Sequence, residues 1–229
     1  MNKLGIDQDA LIQQFADATA RQGETLRKAV NEATLQALQG RELTLKNIKA
    51  VIKSVTEAAS TGAAQNPMGA EAVEPLLAKA FDGMDGALRQ AVEANRRALQ
   101  QLVTQGVDLQ ESQIKKAVDD LEKMEDAFFS TVAKASQGAA ESMQTPWAQV
   151  LDTMKLKGTG TGADATASIA QLTAQTQAAL RDSRRLGLKA AKTLMDSYAA
   201  LASGVLIGMS EALGQPAAAP AAKRGARKD

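Results

Sequence analysis

The chain has 229 residues and a net charge of +1, with no histidine and no cysteine. That excludes disulfides and thiolate metal sites, and it removes the commonest acid–base catalyst and transition-metal ligand. Aromatics are 3% of the residues and alanine dominates the apolar class, so the composition favours extended helical interfaces over a deep core.

The opening Met1-Asn2-Lys3-Leu4, followed by Asp7 and Asp9, lacks the hydrophobic run of a secretory signal. Apolar spacing predicts a first helical segment from about Asp7 to Gln39, with the Asp7 carboxylate as its cap. Leu11, Phe15 and Ala18 begin a stripe that Leu26, Val30, Ala33 and Ala37 resume after a change of phase, and Gly40 is the expected end or hinge. Leu45, Ile48, Ile52, Val55 and Ala59 form a second stripe, with Lys46, Lys49 and Lys53 outside it. Residues 1–61 therefore read as amphipathic helices, and 62–70, containing Gly62, Asn66, Pro67 and Gly69, as the first loop.

The cleanest pattern falls in a long helical region, 71–157. Leu77, Phe81, Met84, Leu88, Ala91, Asn95, Ala98 and Leu102 alternate four- and three-residue steps. Asn95 stands where an apolar residue belongs; it either sets register with a polar neighbour or drifts to half exposure. Residues 106–110 read either as a short turn capped by Asp108 or as a continuation of the helix. Beyond it run Ile114, Val118, Leu121, Phe128, Val132, Ala135, Ala139, Met143, Trp147, Val150 and Met154, interrupted by Glu125. Pro146 predicts a kink or restart capped by Thr145, because proline removes a helix hydrogen bond and clashes with the preceding turn.

Gly158-Thr159-Gly160-Thr161-Gly162 reads as a flexible linker over 158–163, since it lacks the lysine and strand of a phosphate-binding loop. A last helix is expected over 164–213, then an Ala/Pro tail, 214–229, too poor in apolar residues to fold. Lys223, Arg224, Arg227 and Lys228 against Asp229 give this tail +3, which leaves about −2 for the rest of a chain that totals +1. No window reaches the roughly 20 apolar residues of a membrane span.

Candidate sites reduce to surfaces. The acidic group Asp119, Asp120, Glu122, Glu125 and Asp126 is interspersed with Lys115, Lys116 and Lys123. It reads as a solvated face with intrahelical ion pairs such as Asp119 with Lys123. No catalytic, cofactor or metal residues are expected. The apolar or oligomeric interface is assigned to Leu77, Phe81, Met84, Leu88, Asn95, Phe128, Val132 and Trp147. Polyanion contact is assigned to Arg184, Arg185, Lys223, Arg224, Arg227 and Lys228, a set that would bind nucleic acid weakly and in a salt-sensitive way.

Alanine- and glutamine-rich helices without cysteine, a stretch such as Leu88-Arg89-Gln90-Ala91-Val92-Glu93-Ala94-Asn95, and the basic Ala/Pro tail together resemble bacterial phasins, which coat polyhydroxyalkanoate granules. The resemblance extends over about Asp7–Leu213. It implies a non-catalytic cytoplasmic coat on an apolar polyester granule. From the residues themselves the expectations are an all-α, elongated amphipathic bundle or set of coiled-coil hairpins with a disordered C-terminal tail. It would associate with itself or with another helical protein.

Overall fold

The computed structural model describes residues 6–18, 22–39, 44–67, 70–104 and 118–186. All its regular elements are α-helices: α1 (Gln8–Asp17), α2 (Gly23–Leu38), α3 (Leu45–Gln65), α4 (Ala70–Thr104), α5 (Met124–Gln137), α6 (Glu141–Lys157) and α7 (Gly160–Leu186). Residues 118–122, just before α5, are also helical. The fold is all-α.

Local chemistry explains several helix ends. Asp7 caps α1 through a hydrogen bond accepted from the Ala10 amide, and Thr44 caps α3 by accepting from Asn47. The phase change between Ala18 and Leu26 is a break, so one expected helix is two. Asn66 closes the α1 end from a distance, its Nδ2 donating to the carbonyls of Phe15 and Ala18. The break expected at Pro146 lies elsewhere. Pro146 stays inside α6, and the chain turns at 138–140 instead. Proline there removes one bond in the second turn, which the rest of a 17-residue helix tolerates.

α4, 35 residues or roughly 52 Å long, is the central rod. It buries a broad face rather than a narrow seam, since Val73, Leu76, Ala80, Ala87, Val92, Ala94 and Leu99 are enclosed as well as Leu77, Phe81, Met84, Leu88, Ala91, Asn95 and Ala98. α2 lies parallel to it: Glu24 pairs with Lys79, Val30 meets Gly83, and Asn31 adjoins Gly86. α1 lies parallel to α3 in the same way, from Gln8 on Ser54 to Phe15 on Asn66. α5 runs antiparallel to α4.

α7 keeps a constant register with α4. Gly160 meets Asp85, Asp164 meets Arg89 and Gln171 meets Arg96, each 75 residues apart. A uniform offset along more than ten residues requires parallel helices in lockstep. This parallel return is reached through the α5–α6 excursion.

Candidate functional site

The predicted apolar residues converge on the interior of this single chain. Leu77, Phe81, Met84 and Leu88 on α4, Phe128 and Val132 on α5, and Trp147 on α6 are each no more than 1% exposed. Phe81 stacks on Phe128 with ring centroids 4.5 Å apart, and half-buried Phe129 reaches the same ring at 5.5 Å. Adjacent phenylalanines on α5 thus converge on one ring of α4. Trp147 Nε1 donates to Ser60 Oγ at 2.9 Å, so the indole satisfies its donor while packing against α3. Among the described residues, Leu156 is the large apolar side chain left exposed.

Polar residues are threaded through this interior. Thr34, Thr56 and Ser60 are buried, each hydroxyl donating to the carbonyl one turn earlier. Asn95 is buried as well, and its Oδ1 has no hydrogen-bond partner. A buried orphan acceptor costs about 1–3 kcal/mol, so α4 carries an unrelieved penalty at the one polar position of its stripe.

The most completely built polar site is the start of α7. A helix N-terminus leaves four backbone amides without intrahelical partners. Here all four are met. Thr159 N donates to Glu125 Oε1, Gly160 N to Asp85 Oδ2, Thr161 N to Asp85 Oδ1, and Gly162 N to Thr159 Oγ1. The Thr159 hydroxyl donates to Glu125 at 2.6 Å, and the Thr161 hydroxyl donates to the Asp85 carbonyl. Two carboxylates from two other helices therefore complement the positive end of the helix dipole.

This overturns the flexible linker. Gly158, with φ of 73°, makes the turn that side chains disfavour, but Gly160 and Gly162 are already helical. A Cβ on Gly160 would collide with the Arg89 side chain, and one on Gly162 with the Glu125 carboxylate. These glycines are small because two helices press on them. Glu125 likewise serves the α7 cap rather than belonging to a purely solvated acidic face. The sequence signal available was its interruption of an otherwise apolar stripe.

Ion pairs extend the α4–α7 edge. Arg89 Nε contacts Asp164 Oδ2 at 2.7 Å, and the carboxylate raises the guanidinium pKa further. Glu93 is held below the usual carboxylate range chiefly by its hydrogen bond to Arg96, against the opposing effect of burial. Nearby, burial pushes the Asp82 carboxyl up.

A half-open cleft of about 270 Å³ lies between the end of α3 and the α5–α6 turn, lined by Glu57, Ser60, Thr61, Gln65 and Ala139 among others. Among the described residues no acidic group is arranged to hold a metal ion, and no helix is long and apolar enough to cross a membrane. Arg184 and Arg185 fall in the last turn of α7; their side chains, residues 106–110, and Lys223, Arg224, Arg227 and Lys228 lie outside the described residues.

Fold and junction together define an all-α protein whose apolar seams face inward and whose final described helix is docked by carboxylates. The chain belongs to a family of unknown function, DUF6781, whose model matches residues 1–215. No curated protein and no solved structure matches it.

Proposed function

We propose that this protein is a non-catalytic, surface-active helical protein that keeps its apolar seams folded inward in water and opens them onto an apolar surface. A polyhydroxyalkanoate granule in the cytoplasm is the surface its composition favours. The observation that carries the reading is the nature of the interior. Leu77, Phe81, Met84 and Leu88 lie on one long seam, but the same helix also buries Ala80, Ala87, Ala91, Ala94 and Ala98, and Asn95 interrupts the seam without a partner for Oδ1. Alanine contributes little apolar area per contact, so helix–helix adhesion is modest, while the opened seam would present large side chains to polymer.

The experiment images a fluorescent fusion in cells that accumulate polyester granules. Rims of fluorescence around granules are expected, and a chain truncated after Leu213 should keep them. Diffuse fluorescence in granule-filled cells rejects the coat. Nucleoid fluorescence lost on truncation would instead assign a DNA-linked role to the basic tail.

A second reading is a soluble scaffold or regulator that binds another helical protein or itself. It is favoured by the complete burial of Phe81, Phe128 and Trp147, which a permanently closed bundle accounts for without any opening. Purified protein that ignores poly(3-hydroxybutyrate) particles at every concentration would support it.

A further inference from the structure

We infer that α7 is a detachable strap: it is held to the bundle by a polar latch at its first turn and leaves α4 and α5 before the rest of the bundle opens. The inference concerns the free protein and stands apart from whether a granule, a partner helix or nothing then meets the uncovered face.

The argument begins with what α7 buries. Over residues 160–172, its enclosed positions are Thr161, Ala165, Ser168 and Leu172, spaced four, three and four residues apart. This is a coiled-coil seam, yet among these described residues only Leu172 brings a large side chain to it, with Ile169 half-buried beside it. α3, by contrast, buries Ile48, Val51, Ile52 and Val55 within two turns. Apolar burial is what most helices rely on for their place in a fold, and the described side chains of α7, in its first half, supply little.

What α7 has instead is the latch. Asp85 and Glu125 take up three first-turn amides and two hydroxyl or carbonyl contacts, and Arg89 and Arg96 hold Asp164 and Gln171 one and three turns later. The groups at this edge can be rehydrated when they separate, because Arg89 and Asp164 are 52% and 40% exposed. Hydrogen bonds of this kind fix position and register well, yet water replaces them at small net loss. One residue before Arg96, Asn95 keeps a buried, unpartnered Oδ1 while the bundle is closed. The connection to α6 is two residues, Gly158 and Thr159, with Gly158 free to change its backbone angles, so α7 can swing while α6 stays seated through Trp147.

Amide hydrogen exchange on the intact chain tests this. Residues 164–172, past the first turn, should exchange at least about tenfold faster than residues 48–63 of α3, as a low-stability opening unit does. The double substitution Asp85→Asn plus Glu125→Gln should speed exchange in 164–172 by about another tenfold and leave 48–63 unchanged. Gly162→Ala, which displaces Glu125 without removing a charge, should act in the same direction. Equal protection of the two segments in the wild type overturns the strap, with no variant needed. Faster exchange of 164–172 that neither variant alters overturns the latch, and acceleration of both segments together shows a bundle that opens as one unit.

Discussion

α4 is met in parallel by two helices, and the two joints are built in opposite ways. Against α2 the approach is backbone to backbone: a Cβ on Gly83 would lie 2.6 Å from the Arg27 carbonyl and 2.9 Å from Val30 Cβ, and Asn31 Nδ2 donates to the Gly83 carbonyl. Against α7 the approach is through side-chain carboxylates, guanidiniums and a capped first turn. The first joint depends on shape, which water cannot replace; the second depends on polar groups, which water can. A single helix can therefore hold one neighbour firmly and another reversibly.

The largest expected effect falls at the aromatic contact that joins α4 to α5 beside these joints. Phe81→Ala should cost about 3–5 kcal/mol in denaturant unfolding, since it empties a site enclosed by Phe128 and Phe129. A loss below 1 kcal/mol would mean that this region is not packed as described. For the same reason a charge placed at Phe81 or Leu88 tests folding before it tests surface binding.

The shape-dependent joint comes next. Gly83→Ala should destabilise by about 1–3 kcal/mol, because the new methyl meets a backbone carbonyl that has little room to move. Gly162→Ala at the polar joint should cost about 1 kcal/mol, the lost cap outweighing the helix propensity gained. A linker would show the reverse sign, so stabilisation by Gly162→Ala would restore the flexible reading of 158–163. Thermal melts of the two variants side by side give both answers.

A finer contrast lies within one turn of α4. Asp85→Asn should lower the melting temperature, because an amide cannot accept from both the Gly160 and Thr161 amides as the carboxylate does. Asp82→Asn should raise it at neutral pH. Burial lifts the Asp82 pKa above its unfolded value, so its favourable contribution exists at low pH and is lost as pH rises through the folded pKa. Equal responses from the two variants would deny the cap.

The smallest effect belongs to the solvent-facing pair at the α2 end. Hydrogen bonds from Lys79 and then Arg27 lower the Glu24 pKa from 4.5 to about 2. A depressed carboxylate stabilises the fold above its unfolded pKa and loses that contribution as pH falls through the folded one, so Glu24→Gln should flatten acid unfolding slightly between pH 4.5 and about 2. A large change would show that this ion pair is less open to water than its 61% and 38% exposures imply.

Much of this molecule is local in origin. Apolar spacing made the fold class and the α3 and α4 seams legible, and the short carboxylate at Asp7 marked the α1 start, because helix periodicity and capping act over three or four residues. The phase shift after Ala18 also recorded a break. Which way the seams face is different: a stripe such as Leu77 to Leu88 is equally suited to a core, a partner or a polymer, and only the enclosing α2, α3, α5 and α6 place it inside. The same holds for Gly158–Gly162. Small flexible residues look identical in a loose linker and in a crowded joint, since what distinguishes them is the Arg89 and Glu125 side chains arriving from 71 and 37 residues earlier to meet Gly160 and Gly162. Sequence determined the helices and their apolar faces; tertiary contact alone decided which glycines are free and which are pressed against another helix.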